Sequence, residues 1–332
     1  MKSISITVFF LLFIIFNPLI ANDEKKDSLY WPQPPDRARI QHLRTIGSLA
    51  DLEIKSGFFS KVFSFLFGSP KSQTWLEQPV GIAVSPNKTI AIADPGAHGI
   101  HLINQVEREY ILIRETKFGT ISSPVGVAFS EEGLLYVSDS ENGKIIVFND
   151  NLNAKFYFDS HLKHPTGITV TKDTIYVVDT REHKIVFFNL EGEYLGEFGK
   201  RGAGEGEFNF PVNLISVCEN LYIVDALNYR IVQTDKHGKY QASFGEHGNV
   251  AGRFAAPKGI ACDSDSNLYI TDALMDNFQI FNQRGKLLLV VGRNGLSNGE
   301  FMSPSGIAID NNNIIYIVDS LNKRIQLFRY LP

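Results

Sequence analysis

The chain has 332 residues, Lys+Arg 32 against Asp+Glu 36, a formal net charge of −4 and only two cysteines. At 20% charged and 44% hydrophobic it is neither a disordered chain nor a multi-span membrane protein; its charge gives no overall attraction to nucleic acid, and two thiols cannot build a disulfide scaffold or a four-thiolate zinc site. Twenty-seven glycines and 25 phenylalanines against three methionines favour a turn-rich β protein over a helical bundle.

Residues 1–21 read as an address. Lys2 precedes an apolar run, Ile4 to Phe16, broken only by Ser5 and Thr7; Asn17-Pro18 ends it, and Ala21 offers a small residue for cleavage. This is the order of a secretory signal peptide, and the run is short for a membrane span. No cysteine follows for lipid attachment. For a bacterial source, the expectation is a periplasmic or secreted protein, with an uncleaved membrane anchor as the alternative.

Residues 22–38 form a Pro-rich lead-in, with Trp31-Pro32-Gln33-Pro34-Pro35 expected to be extended and polyproline-like. Residues 39–47 read as a lone strand. Residues 48–78 are an insertion. In it Phe58, Phe59, Val62, Phe63, Leu66 and Phe67 recur at helical spacing, and Gly68-Ser69-Pro70 stops the pattern. This short amphipathic helix is expected to plug or buttress the fold, to dock a partner, or to lie on a membrane surface.

From residue 79 onward one pattern repeats. Prolines 79, 124, 165, 211, 257 and 304 are spaced by 45, 41, 46, 46 and 47 residues, and Asp94, Asp139, Asp179, Asp225, Asp272 and Asp319 march with them. Each unit reads as four strands; in the second they are Gly126–Phe129, Leu134–Ser138, Lys144–Phe148 and Ala154–Phe158. No unit holds a helix long enough for a crossover. The period predicts an all-β fold: a six-bladed β-propeller of four-stranded antiparallel blades, one domain over 39–332, with one short inserted helix. The last unit lacks a fourth strand, and residues 39–47 are expected to supply it and close the ring.

Several motifs resemble the NHL repeat. Gly204-Glu205-Gly206, Phe208-x-x-Pro211, Leu221-Tyr222-Ile223-Val224-Asp225 and Arg230-Ile231 carry the likeness, and Phe254-x-x-Pro257-Lys258-Gly259 and Phe301-x-x-Pro304-Ser305-Gly306 repeat it. The likeness spans roughly 39–47 and 79–330. Blade 1 departs from it, since Ile90-Ala91-Ile92-Ala93-Asp94 lacks the tyrosine. The resemblance implies a six-bladed propeller. The family spans ligases, RNA binders, lyases and envelope proteins of unestablished role, so it does not settle function. Lead-in and helix together resemble exported bacterial envelope members.

The six aspartates are expected to accept hydrogen bonds from the following turn, and Lys144, Lys184, Arg230 and Arg324, five residues on, to pair with them. Leu76, Ile121, Leu162, Phe208, Phe254 and Phe301, three residues before the prolines, are expected between blades. Cys218 and Cys262 read as buried thiols. Blade 4 breaks the frame: Asn213 stands where the other blades have glycine, and Ser216 where they have Val84, Phe129, Val170, Cys262 and Ile309. Both are candidates for the central channel, as ligand contacts or as a locally satisfied pair. His98 and His183, each four residues after an aspartate, and His164 are candidates for the loop face, with solvent-exposed loop histidines as the alternative. No Gly-x-Ser-x-Gly elbow is present, and loops mixing Lys200, Arg201 and Arg253 with Glu205, Glu207 and Glu246 disfavour nucleic acid.

The functional expectation is a monomeric, non-enzymatic binding scaffold with no cofactor, holding a protein or other envelope ligand on its loop face. The alternative is a metal-dependent lyase or lactonase, with Zn or Ca at the channel mouth held by some of His98, His164, His183 and Asn213. Membrane contact through 58–67 is a further expectation.

Overall fold

A computed structural model describes residues 29–52, 54 and 75–332. The signal segment and the 58–67 helix therefore lie outside the described residues.

Six antiparallel sheets surround a central channel. Blade 1 comprises Gly81–Val84, Thr89–Asp94, Gly99–Asn104 and Glu109–Ile113, ordered from the axis outward. Blades 2 to 5 repeat this order, with innermost strands Pro124–Phe129, Pro165–Val170, Pro211–Val217 and Pro257–Cys262. Second and third strands are runs of Ile, Val and Tyr; Ile175–Asp179 is buried throughout, as a strand sandwiched between neighbouring blades must be.

Blade 6 joins the two ends of the chain. Pro304–Ile309, Ile314–Asp319 and Arg324–Tyr330 supply three strands, and Ile40–Ile46 pairs antiparallel with Arg324–Tyr330 as the fourth. Tyr30–Trp31 adds a fifth, pairing with Gln41 and Ile40. The described part of the lead-in is thus a short strand followed by a turn, rather than a polyproline-like segment. Burial drives the difference: Trp31 packs edge-on to Phe328, with ring centres 5.8 Å apart, against the core between blades 5 and 6.

The blades are wedged apart by the residues three before each proline. Phe208, Phe254 and Phe301 are fully buried, each between its own blade and the preceding one. The outer strand of the preceding blade ends in a glycine against each ring. A Cβ on Gly245 would lie 2.5 Å from the Phe254 ring, and Gly245 has φ +94°. Two requirements therefore meet at one residue, a left-handed backbone and no side chain.

The six aspartates are all fully buried. Their principal partners are not the following turn but the segment leading into the innermost strand of the same blade. Ser122 and Ser123 amides donate to Asp139 at 3.1 and 2.9 Å, and Ala255 and Ala256 amides to Asp272 at 2.7 and 2.9 Å. The following turn contributes second, as from Ala97 to Asp94 at 3.0 Å. Of the four expected basic partners, Arg230 and Arg324 meet Asp225 and Asp319 at 2.8 and 2.7 Å. Lys184 instead reaches Glu197 at 2.7 Å, and Lys144 the Phe118 carbonyl at 3.4 Å. A lysine ammonium lacks the planar fork that lets arginine serve carboxylate and carbonyls together.

Two measurements test this frame. Gly245→Ala is expected to cost roughly 1–3 kcal/mol in urea denaturation. Gly133→Ala is the control for backbone strain alone, because Gly133 has φ +87° and nothing within 4 Å of its Cβ position. Equal losses would refute the packing role. The second test concerns Asp94. Burial alone would raise its carboxyl, but hydrogen bonds from His101 and the Gln78, Glu77 and Ala97 amides outweigh burial and hold it below the ordinary 3.8. A carboxyl lowered on folding contributes stability above its unfolded pKa, and loses it as pH falls through the folded value. Asp94→Asn should therefore flatten the urea midpoint's decline below pH 3.8 relative to wild type. Parallel acid limbs would contradict this.

Candidate functional site

In each blade the innermost strand runs away from one face and the second strand returns to it. The turns between second and third strands therefore share a face with the loops joining one blade to the next. This loop face holds most of the candidate residues.

Its backbone is pinned by the repeat. The Arg230 guanidinium donates to the carbonyls of Ala203, Gly204 and Glu207 at 2.8, 3.1 and 2.9 Å, and Arg324 does the same for the loop holding Leu296, Ser297 and Glu300. Glu207 and Glu300 accept from Gly204 and Ser297 amides, which lowers both carboxyls, and Lys200 and Arg293 pair with them. Much of the charge in these loops is thus neutralised within the loops themselves.

The fourth residue after each aspartate has a left-handed backbone: His98, Gly143, His183, Tyr229, Asp276 and Lys323 all have φ between 49° and 63°. Three of these side chains hydrogen-bond to the next blade. His98 Nδ1 lies 2.6 Å from the Ser122 carbonyl, the Phe210 amide donates to His183 Nδ1 at 3.0 Å, and the Ser303 amide donates to Asp276 at 2.7 Å. His98 and His183 are struts between blades. His183 is buried and edge-on to Phe210, contrary to an exposed loop histidine. The half-buried His164 imidazole is held below its ordinary 6.5 by burial first and by the Arg181 charge second.

Two residues after the aspartate the side chains of blades 2 to 6 face solvent, and the residue type differs between the halves of the ring. Blades 1 to 3 carry Gly96, Glu141 and Arg181; blades 4 to 6 carry Leu227, Leu274 and Leu321, which are 49%, 72% and 66% exposed. Phe210, Val250 and Leu296, also exposed, belong to the adjoining loops. The result is an apolar arc over half the loop face. Column-by-column comparison of the repeats would have revealed it.

The channel is a cavity of about 590 Å³. Asn213 and Ser216 line it, and none of His98, His164 and His183 does. His98 instead borders a separate groove of about 360 Å³ with Arg114, Glu115 and Glu141. Among the described residues, no group of three or more His, Cys, Asp or Glu side chains is arranged to hold a metal ion.

A family model described as an NHL repeat matches residues 122–148, and one described as a 6-bladed beta-propeller matches residues 158–244 and 257–330. The chain is an NHL-type six-bladed propeller.

This propeller superimposes on solved structures of the same architecture. One is a catalytically inactive virginiamycin B lyase from Staphylococcus aureus with quinupristin: 16% identity, TM-score 0.58, covering 78% of this chain and 97% of the lyase. Another is an auxiliary nutrient binding protein from Bacteroides thetaiotaomicron: 15% identity, TM-score 0.62, covering 77% of this chain and 69% of that one. A third is a chain of a nidogen/laminin complex, at 18% identity and TM-score 0.54, covering 70% of this chain and 85% of that one. At these identities the likeness is one of fold alone.

Two features of the NHL propeller escaped the sequence. His101 is fully buried on a third strand, bridging Asp94 at 3.2 Å and the Tyr110 hydroxyl at 2.9 Å. Gln279 and Gln326 occupy its place and hydrogen-bond in blades 5 and 6, while Ile146, Val186 and Val232 hold it in blades 2 to 4. The cysteines are both free, and Cys218 is exposed in a turn rather than buried. Cys262 is half-buried; burial, then Asp263, pushes its thiol up to about 11.

His183→Ala should lower stability by about 1–3 kcal/mol, because the Phe210 amide loses its acceptor. An unchanged urea midpoint would remove the strut assignment.

Proposed function

We propose that this NHL-type propeller is exported to the cell envelope and acts there as a non-enzymatic, monomeric binding scaffold that holds a protein partner on its loop face. The apolar arc of Leu227, Leu274 and Leu321 carries this reading. Three leucines at one repeat position in consecutive blades each leave about half or more of their surface to solvent. A patch of this kind, rimmed by paired charges, is the ordinary form of a protein-recognition surface. Export rests on the charged, apolar and small-residue order of residues 1–21.

The reading also explains what the histidines do. His98 and His183 are engaged between blades, so they brace the loop face, and the leucines are its exposed apolar contacts together with Phe210, Val250 and Leu296. The mixed and largely paired loop charges suit a protein better than nucleic acid.

Crosslinking of the mature protein in envelope extracts tests this. Wild type should capture a reproducible protein partner. Leu227→Glu/Leu274→Glu/Leu321→Glu, with unchanged circular dichroism and urea midpoint, should lose it. Equal capture by the variant, or no reproducible partner for wild type, would refute the reading.

A further inference from the structure

We infer that the central channel is a binding site for an amphiphilic monocarboxylate, whose acid group sits at the loop-face mouth on Lys258 and the Asn213 amide and whose apolar body follows an aliphatic wall. The inference concerns a different surface from the leucine arc and does not depend on it.

Lys258 is the only charged residue lining the channel among the described residues, in a chain whose net charge is negative. It follows Pro257 directly, so it stands at the mouth where the inter-blade loops enter. No carboxylate lines the cavity, and Lys258 has no hydrogen bond or ion pair with a described residue. An uncompensated cation beside an apolar cavity favours an anion there.

Asn213 extends the site. Its side-chain oxygen accepts from the Leu214 amide at 2.9 Å, which leaves its nitrogen with no described partner. It projects over Gly167 of blade 3, where an added Cβ would lie 2.8 Å from its oxygen. Deeper on the same wall, the Ser216 and Thr169 hydroxyls line the cavity without a described partner. Other mouth hydroxyls are already engaged: Thr180 donates to the Pro211 carbonyl at 2.7 Å, and Ser305 to the Val80 carbonyl at 3.0 Å. The polar groups left free thus lie mainly on blades 3 to 5, with the Ser303 hydroxyl at the mouth of blade 6.

The opposite wall belongs to blades 6, 1 and 2. Below the Ser303, Ser305 and Ser320 hydroxyls at the mouth, Ile307, Ile309, Val80, Ile82, Val127 and Ala128 make it aliphatic. A cavity with a cation and an amide at its mouth and a largely aliphatic lining below discriminates by polarity along its length. At about 590 Å³ it lies within the range that encloses a small ligand.

Calorimetric titration of the whole mature protein with decanoate is the test, with 2-naphthoate as a flat aromatic acid and decan-1-ol and decyltrimethylammonium as uncharged and cationic controls. One of the two acids should bind saturably at a single site, and more tightly than either control. Lys258→Ala should weaken that acid roughly tenfold or more while leaving decanol unchanged. Ala128→Phe should block the channel and abolish binding, with crosslinked capture on the loop face retained. If neither acid binds, or if decanol binds as well as the acids and Lys258→Ala changes nothing, the assignment is overturned.

Discussion

The propeller depends on one buried carboxylate per blade. Each of the six aspartates ends a second strand and is fully buried. A carboxylate taken from water is tolerable only when its oxygens are saturated with hydrogen bonds. The donors are largely backbone amides of the chain arriving from the preceding blade, as at Asp139, Asp179 and Asp272. One side chain therefore fixes its own strand and the path by which the chain crosses from blade to blade. In blades 4 and 6 the duty is shared. Asp225 and Asp319 each take one such amide, while His183 and Asp276 of the preceding blades take the next. The oxygen thereby released is where Arg230 and Arg324 bind, and those guanidiniums hold the long loops in place.

This division of labour explains where recognition can reside. In the segment that starts at each aspartate, the first residue secures the backbone, helped by the fourth in blades 2, 4 and 6, the fifth in blades 1, 3 and 5 and the arginine at the sixth in blades 4 and 6. The third bonds only through its backbone amide in blades 4 to 6, and in blades 2 to 6 its side chain is exposed. A position free of structural duty can change chemistry without cost to the fold, and here three consecutive blades place leucine there. The innermost strands behave similarly. Glycine recurs where neighbouring strands crowd the axis, and the substitution at Asn213 alters what the channel presents to a ligand.

Periodicity made the fold legible because each repeat must satisfy the same packing problem. The prolines, the aspartates and the phenylalanine column announced six blades, and the orphan strand at 39–47 announced the closure. What stayed hidden was direction and partner. An aspartate shows that amides will be bound, but not that they lie 16 or 17 residues earlier. His98 and His183 looked like chemistry because histidine is versatile; only the left-handed backbone at their position turns them toward the next blade. His101 looked unremarkable until Asp94 was seen beneath it. The outward leucines were legible in principle, but single exposed apolar residues carry no signal until several align.

The closing blade also brings the ends of the described chain together. Ile40 lies opposite Tyr330, the Leu331 amide donates to the Arg39 carbonyl at 2.7 Å, and Arg37 reaches the Pro332 carbonyl. Among the described residues the ring is nearly an unbroken circle, and the point where the chain enters it is not dictated by the packing of the other five blades. A short linker across blade 6 would complete the loop covalently, and new termini could then open at a solvent-facing turn elsewhere. The gene order of the blades is thus one of several equivalent ways to write the same ring.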